Sequence, residues 1–283
     1  MSLWRQLKPK SPADILSLCY ALILIHATII FGDFVVAPWM TEYYGTTMFD
    51  IVLYNFYGAF IYLNVIGNML KIMLTNTSTV GRILPTLLKP GWSYCATCEA
   101  NSPPRSFHCS TCNRCILKRD HHCMFTGKCI GYFNHRYYIL LVIYAWLGAM
   151  FCLTYSFRFT WLLLGGFSWG NLLCFILPLV AFMCGVLEFY TSMICFITLL
   201  MLLFSTVLIF LMIWHSKHIY FNMTTFERRR DQYKYDLGWR ENLKEIFGTR
   251  WYIAWLFPLI DSPMPGDGIE FRTKDCYENP KDL

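Results

Sequence analysis

Charged residues are scarce in this chain, and their scarcity excludes a soluble globular domain. Of its 283 residues only 15% are charged, whereas 56% are hydrophobic and 18% are aromatic. A cleavable signal is not expected, because no short apolar segment near the N-terminus ends in a small-residue cleavage site. No internal repeat or low-complexity tract is apparent. What the chain does contain is a set of apolar runs that approach or exceed the roughly 20 residues needed to cross a bilayer.

Four membrane spans are predicted from these runs. They cover residues 15–36, 51–74, 137–164 and 191–214. The start of the last span is the least defined, because the chain is almost continuously apolar from Leu172 to Trp214. We interpret residues 165–190 as a lumenal or partly inserted segment, and the alternative is that they contain a fifth span. The predicted fold class is an all-α polytopic membrane protein with four transmembrane helices.

The distribution of basic residues predicts the orientation of these spans. Lys and Arg number three before the first span, none between the first two spans, nine from Lys71 to Arg136, one at Arg158 and eleven after Trp214. Positive residues collect on the cytosolic side of membrane proteins. The N-terminus 1–14, the segment 75–136 and the tail 215–283 are therefore expected in the cytosol. The net charge of +6 needs no nucleic acid to explain it, because basic tails beside a bilayer meet anionic lipid headgroups.

The segment between the second and third predicted spans is dense in cysteine and histidine. Seven of the 13 cysteines lie there. Because the cytosol is reducing, thiolate ligation of Zn²⁺ is favoured over disulfides. The pairs Cys95–Cys98 and Cys109–Cys112 have the Cys-x2-Cys spacing of tetrahedral zinc sites, and each pair needs two more ligands. The segment is thus predicted to be a small cytosolic Cys-rich domain that binds two zinc ions.

Ten cysteines and histidines are available in this segment, and two four-ligand sites use eight of them. Alternation along the chain divides the ligands into two sets. One set is Cys95, Cys98, His108 and Cys115, and the other is Cys109, Cys112, His122 and Cys129. His121 and Cys123 are then left free. Two alternatives stay open: a purely structural zinc ribbon in which Cys123 is an incidental thiol, and a cross-braced module of the ubiquitin-ligase type.

Cys123 has neighbours typical of an activated nucleophile. Asp120 can accept a hydrogen bond from one ring nitrogen of His121, and the other ring nitrogen can take the proton of Cys123. A thiolate at a membrane surface suits attack on the thioester of a fatty acyl-CoA. Basic side chains near the run are candidates for the CoA phosphates, although each alone is more often a flanking charge. They are Lys118, Arg119, Lys128 and Arg136.

The motif Cys-x2-Cys-x9-His-Cys-x2-Cys-x2-Cys-x4-Asp-His-His-Cys-x5-Cys runs from Cys95 to Cys129 without a missing ligand. It resembles the DHHC-type (zDHHC) palmitoyltransferases. Two later elements are also similar to that family: Thr224–Glu227 resembles its TTxE element, and Asn242 with Phe247-Gly248 resembles its C-terminal motif. Taken alone, Thr-Thr-x-Glu is equally a helix capping box.

The resemblance implies a protein S-acyltransferase. Palmitate would pass from palmitoyl-CoA to Cys123 and then to cysteines of membrane-associated proteins, with His121 as the base, Asp120 as its orienter and His122 as a zinc ligand. Thr225 is implied to approach Asp120. The residues implied to support the active site are Thr224, Thr225, Glu227 and Asn242.

Two departures from the family pattern stand out. Many members carry a Trp and an Asn pair after the nucleophile, whereas this chain has Met124–Lys128, and Thr75–Thr79 replaces an Asp-Pro-Gly element common after the second span. The chain is therefore most similar to a divergent branch, the subgroup that includes human member 24. The alternative function is a weak or inactive DHHC-like membrane scaffold whose zinc module binds proteins. The expected location is the Golgi or endoplasmic reticulum membrane.

Overall fold

The computed structural model describes residues 7–230 and 232–274. Within those residues, four helical stretches are long and apolar enough to cross a membrane: Pro12–Tyr44, Met48–Leu74, His135–Leu163 and Phe189–Tyr220. The predicted spans 15–36, 51–74 and 191–214 lie inside them, and the span predicted at 137–164 runs one residue beyond its helix. Many large apolar side chains on these helices are exposed, which is typical of a surface that faces lipid.

The first of these stretches begins at a capping box and ends at a glycine. Ser11 Oγ accepts from the Asp14 backbone N–H and Asp14 Oδ2 accepts from the Ser11 backbone N–H, each at 3.1 Å. This reciprocal pair satisfies free N–H groups at the start of α1, Pro12–Phe31. A π-helical turn, Gly32–Val36, connects α1 to α2, Ala37–Tyr44. Gly45 then adopts φ 60° and stops the helix, as a left-handed C-cap does.

The remaining long helices are α3, Met48–Leu74, α4, His135–Leu163, and α7, Phe189–Tyr220. Two short helices, α5 (Trp169–Ile176) and α6 (Pro178–Met183), lie between α4 and α7. At about 1.5 Å per residue, an eight-residue helix is about 12 Å long, well short of a hydrocarbon core of about 30 Å. Neither short helix crosses by itself. After α7 come α8, Thr225–Arg228, and α9, Trp239–Phe247.

The Cys-rich segment contains three antiparallel hairpins, so the all-α description is incomplete here. They pair β1 (Ser93–Cys95) with β2 (Ala100–Ser102), β3 (Phe107–Cys109) with β4 (Arg114–Ile116), and β5 (His121–Cys123) with β6 (Lys128–Ile130). Strands of three residues are too short for a period-2 apolar pattern to be recognisable, which is why the sequence did not predict them. Such small hairpins are not stable alone in water and need a further tie.

The hairpins repeat one pattern every 14 residues, which corrects the expectation that the chain has no internal repeat. The first strand of each hairpin ends in a cysteine: Cys95, Cys109 and Cys123. The turn that follows contains a left-handed residue, namely Glu99 (φ 49°), Asn113 (φ 50°) and Gly127 (φ 61°). The second cysteine of the first two turns is replaced in the third turn by Thr126. The third hairpin is therefore a copy of a metal-binding turn that lacks one metal-binding side chain.

Two compact units divide the chain. One contains the Cys-rich segment and consists of residues up to Ala21, Asn64–Leu141 and the residues from Met212 onward. In this unit Gly131 is required by a close approach, because a Cβ there would lie 2.5 Å from the Leu117 carbonyl oxygen. The other unit, Leu22–Leu63 with Val142–Leu211, has a core of apolar side chains from three long stretches. The cysteine clusters and the Asp-His-His-Cys run both lie in the first unit.

Candidate active site and metal centres

Two clusters of metal-binding side chains are present among the described residues. One consists of Cys95, Cys98, His108 and Cys115, and the other of Cys109, Cys112, His122 and Cys129. These are the two sets that alternation along the sequence predicts. Each cluster joins neighbouring hairpins, because the turn cysteines of one hairpin meet a directly paired His and Cys of the next. The pairs are His108 with Cys115 and His122 with Cys129.

The distances within both clusters fit a tetrahedral Zn²⁺ site. With Zn–S bonds of about 2.3 Å and Zn–N bonds of about 2.0 Å, ligand atoms lie about 3.5–3.8 Å apart. In the first cluster, His108 Nδ1 lies 3.7 Å from Cys95 Sγ and 3.3 Å from Cys98 Sγ. In the second, the Sγ atoms of Cys109, Cys112 and Cys129 lie 3.7, 3.4 and 3.6 Å from His122 Nδ1. Each cluster thus has the donor set and the spacing that a closed structural zinc site requires.

A carboxylate from the first helix supports the second cluster. Asp14 Oδ1 lies 3.0 Å from His122 Nε2, and the Asp14 side chain is only 1% exposed. A metal-binding imidazole generally donates its other ring nitrogen to such a group, which fixes the tautomer and the ring orientation. Asp14 was not predicted from the sequence as part of this site. The sequence does show an acidic residue at the start of an apolar run. The Ser11-x-x-Asp14 capping box explains a carboxylate at that position by itself, so nothing further pointed to a contact with His122.

Asp120, His121 and Cys123 come together at the base of the third hairpin. Asp120 Oδ2 accepts a hydrogen bond of 2.7 Å from His121 Nδ1, and the Asp120 side chain is fully buried. His121 also interacts with the Cys123 thiol. Because Nδ1 is bound to Asp120, Nε2 is the ring nitrogen left for a proton from the thiol. The arrangement is a nucleophile, a base and an orienting carboxylate in sequence.

The charges of this run support one another despite their burial. Burial raises the pKa of the Cys123 thiol, but the hydrogen bond and charge of His121 outweigh it, so the net pKa is lowered. Burial likewise lowers the pKa of His121, and hydrogen bonds to Asp120 and Cys123 reverse this and raise it to about 9. For Asp120 burial raises the pKa, and the bond from His121 with nearby imidazoles lowers it well below its ordinary range. The pair therefore favours a thiolate beside an imidazolium.

Thr225 binds both oxygens of the Asp120 carboxylate. Its backbone N–H donates to Asp120 Oδ1 at 2.8 Å, and its hydroxyl donates to Oδ2 at 3.0 Å. Thr224 is the N-cap of α8: its Oγ1 accepts from the Glu227 N–H, and Glu227 Oε2 accepts from the Thr224 N–H. The Thr-Thr-x-Glu run is therefore a capping box that also presents Thr225 to Asp120. The two interpretations of this motif are compatible.

A buried ion pair fastens α8 to the Cys-rich segment. Arg105 Nε and one terminal nitrogen each donate to a carboxylate oxygen of Glu227 at 2.7 Å, and both side chains are at most 5% exposed. The same terminal nitrogen reaches the Asn222 carbonyl, and the guanidinium lies over the ring of Tyr235. Burial raises the pKa of Glu227, but the Arg105 charge outweighs this and lowers it. A bidentate, stacked Arg in this position specifies orientation as well as charge.

Exchanging Glu227 for Gln should destabilise the fold strongly, because it leaves the Arg105 cation buried without its counterion. We expect the free energy of unfolding to fall by about 3–5 kcal/mol. Glu241→Gln is the matched control, since its partners Lys244 and Arg272 are 39% and 46% exposed; the expected loss is below about 1 kcal/mol. Unfolding in detergent by heat or denaturant measures both. Equal shifts for the two variants would contradict a stabilising role of the buried pair.

The remaining predicted residues have different surroundings from those that the sequence suggested for some of them. Asn242 is buried at the start of α9, where its Oδ1 accepts from the Leu237 N–H and its Nδ2 donates to the Tyr220 carbonyl and to Asp236 Oδ1. It thereby ties the end of α7 to the stretch of backbone that precedes α9. Two of the basic candidates for CoA phosphates were wrong: Lys118 is 2% exposed and bonded to Asn222, and Arg136 is 8% exposed and bonded to the Ser262 carbonyl.

The departures at Met124–Lys128 are confined to the third turn. Met124 and Phe125 are exposed there, while Thr126 is buried and its N–H closes the turn on the Cys123 carbonyl at 3.3 Å. The strands on either side keep their register, with Cys123 opposite Lys128. The third hairpin therefore has the same register as the first two, in which Cys95 lies opposite Ala100 and Cys109 opposite Arg114.

Comparison with known proteins agrees with this site. A model of the DHHC palmitoyltransferase family matches residues 89–232. The chain therefore belongs to the DHHC palmitoyltransferase family. It is similar to the probable palmitoyltransferase ZDHHC24 of Danio rerio, with 33% identity over 220 residues that cover 77% of this chain and 75% of that protein. The human protein of the same name is 34% identical over 218 residues, which is 76% of each chain. The family and branch predicted from the cysteine motif are confirmed.

Proposed function

We propose that the chain is a protein S-acyltransferase that carries a fatty acyl group on Cys123 between acyl-CoA and cysteines of membrane-associated proteins. The observation that carries the proposal is the continuous line of contacts from Thr225 through Asp120 and His121 to Cys123. A structural zinc ribbon needs no such line. Membership of a palmitoyltransferase family supports palmitoyl-CoA as the donor.

The proposed reaction has two steps, and the same three side chains serve both. In the first, His121 Nε2 takes the proton of Cys123, the sulfur attacks the thioester carbonyl, and the CoA thiolate leaves with the proton that His121 returns. In the second, His121 takes the proton of the acceptor thiol, which attacks the acyl-Cys123 carbonyl and releases the Cys123 sulfur. Asp120 keeps His121 Nδ1 protonated throughout, so that Nε2 is always the nitrogen that exchanges the proton.

Two structural Zn²⁺ ions are proposed for the two clusters, held by three cysteines and one histidine each. Closed four-ligand sites of this kind supply folding energy and leave no open position for substrate. His122 and Cys129 fix the hairpin on which Cys123 stands, since all three residues belong to the β5–β6 pair. For the CoA phosphates, Arg119 and Lys128 are the candidates still partly exposed.

The topology proposed from the charge distribution places residues 1–14, 75–136 and 215–283 in the cytosol. The spans are 15–36, 51–74, 137–164 and 191–214, and residues 165–190 are a lumenal or partly inserted segment. The four long helices support the number of spans. Fatty acyl-CoA is a cytosolic thioester, so a cytosolic Cys123 is the orientation in which donor and nucleophile meet. The proposed membrane is that of the Golgi or the endoplasmic reticulum.

The proposal is tested by incubating the purified full-length chain in lipid vesicles with an alkyne analogue of palmitoyl-CoA. We expect a label that hydroxylamine releases and that peptide mapping places on Cys123, because a thioester and not an amide is formed. Addition of a lipidated peptide with one cysteine should then move the label to the peptide without further acyl-CoA. The zinc content of the same preparation shows whether the protein is folded.

A zinc-loaded preparation without label on Cys123 would instead favour the second candidate, a DHHC-like scaffold whose Cys-rich domain binds other proteins. One observation favours that candidate: the third turn carries Met124–Lys128 instead of the residues common in the family. The same experiment therefore separates the two candidates.

A further inference from the structure

The ring of His121 is bordered by two side chains from the long helices α4 and α7. The rings of Tyr138 and His121 pack in a T-shaped pair, with centroids 4.8 Å apart and planes at 71°. His215 lies beside both rings: its centroid is 6.0 Å from that of His121, and its Nε2 is 3.1 Å from the Tyr138 hydroxyl. Both residues are buried, at 7% and 5% exposure. These two side chains form a wall on a side of the His121 ring that Asp120 does not occupy.

The wall is itself fixed by further contacts in the last turns of α7. His215 Nδ1 lies 3.3 Å from Nδ1 of His218, which is fully buried. Trp214 packs edge-on against His218, and the guanidinium of Arg228 lies 3.9 Å over the Trp214 ring. Tyr138 therefore does not stand alone. It is the end of a series of packed rings that starts with Trp214 beside α8, the helix that also presents Thr225.

The geometry explains why such a wall matters for His121. The Asp120 bond fixes only one edge of the imidazole, and a ring held at one edge is free to tilt about it. Tilting moves Nε2 away from the Cys123 sulfur, and proton transfer requires hydrogen-bonding distance. Aromatic rings packed against the imidazole at these distances limit that tilt. The Tyr138 hydroxyl, held by His215, prevents the phenol from moving away in turn.

We propose that Tyr138 and His215 are positioning residues for His121, acting as a hydrogen-bonded pair. The inference rests on the proposed acyl transfer through Cys123, and it deepens that proposal by naming what orients the base. Neither residue touches the reacting atoms in this arrangement. Their effect passes through the orientation of the His121 ring, so it concerns the rate of transfer and not the binding of acyl-CoA.

The test compares variants that remove the hydrogen bond while keeping the volume of the side chains. Tyr138→Phe deletes only the hydroxyl, and His215→Leu deletes the ring nitrogens. His215→Gln keeps a polar atom at the Nε2 position and is the conservative rescue. Tyr137→Phe is the matched control, because Tyr137 is equally buried at 7% and its hydroxyl is bonded to Arg136 instead of His215. Zinc content and thermal unfolding of each variant are measured in parallel.

The first readout is the single-turnover rate of Cys123 acylation at increasing acyl-CoA concentration. Displacement of a catalytic group commonly costs one to two orders of magnitude in rate, so we expect Tyr138→Phe and His215→Leu to lower the maximal rate by roughly 10-fold. The half-saturating concentration should change less than about 2-fold. The double variant should be no slower than the slower single variant, because both changes break one bond. His215→Gln should recover most of the rate, and Tyr137→Phe should keep all of it.

The second readout is the rate at which iodoacetamide alkylates Cys123, followed by peptide mapping. It depends on His121 beside the thiol but not on acyl-CoA chemistry. Slower alkylation in Tyr138→Phe and His215→Leu than in Tyr137→Phe supports the positioning role even if the wild-type chain forms no acyl intermediate, an outcome that defeats only the proposed function. Equal alkylation and equal maximal acylation rates in Tyr138→Phe and Tyr137→Phe would overturn the inference, as would additive losses in the double variant.

Discussion

Exchange of Cys123 for serine is expected to abolish the hydroxylamine-sensitive acyl intermediate while leaving both metal clusters filled. A serine hydroxyl has no anionic form near neutral pH, so the His121 pair has no thiolate to stabilise. Loss of a nucleophile typically costs 10³-fold or more, and we expect a fall of at least about that size in labelling rate. The fold should be unaffected, because Cys123 belongs to neither ligand cluster.

The control for this variant is Cys184→Ser. Cys184 is an exposed cysteine outside both clusters, so it reports on adventitious acylation of an accessible thiol. We expect wild-type labelling in the control and two zinc ions per chain in both variants. Hydroxylamine-sensitive label that survives Cys123→Ser at the wild-type level would show that another cysteine carries the acyl group.

Loss of one metal is expected to have the second largest effect, and its size should depend on which metal is lost. Cys98 and Cys112 occupy equivalent positions in the first and second turns, and each is a ligand in one cluster only. Structural zinc sites contribute on the order of 10 kcal/mol of apparent binding energy, so Cys98→Ala and Cys112→Ala should each bind one zinc ion instead of two and unfold at lower temperature.

Acylation of Cys123 should fall further in Cys112→Ala than in Cys98→Ala. The second cluster takes His122 and Cys129 from the third hairpin, the one that carries Cys123, whereas the first cluster takes no ligand from it. We expect a loss of about 100-fold or more for Cys112→Ala, since the base and nucleophile are displaced together. Cys195→Ala is the control, because Cys195 is fully buried and is a ligand in neither cluster. A larger loss in Cys98→Ala would contradict this order.

The ligand sets could be predicted from sequence because the geometry is mostly local. A single turn brings the two cysteines of a Cys-x2-Cys pair together. The four remaining cysteines and histidines then divide between the two pairs most simply by alternating along the chain. Cys123 was predicted as the nucleophile because it is the cysteine left over once the two four-residue clusters are assigned. The role of Thr225 was predicted only from the resemblance to the family. The long helices were predictable for a different reason. Charged residues are so scarce that they leave long uninterrupted apolar runs, and each such run is long enough to cross a membrane as a helix.

Long-range contacts could not be predicted in the same way. Asp14 meets His122 across more than 100 residues of chain, and Arg105 meets Glu227 across a similar distance. The sequence around Asp14 or Arg105 does not indicate which distant residue its side chain contacts. The basic residues illustrate the opposite error: Lys118 has the appearance of a surface charge beside the active site, yet burial lowers its pKa to about 7 and its ammonium is bonded to Asn222.

The repeat of three hairpins has a consequence for how this protein tolerates sequence change. Each of the first two turns supplies two cysteines to a metal-binding cluster, so those cysteines cannot vary without the loss of a metal-binding side chain. The third turn is the last of the series and holds no ligand, so Met124 and Phe125 are free to diverge without disturbing either cluster. Cys123 therefore stands on a hairpin whose strands belong to the second cluster through His122 and Cys129 but whose tip can change in evolution, and under the proposed function that tip is where a different acyl chain or acceptor could be accommodated.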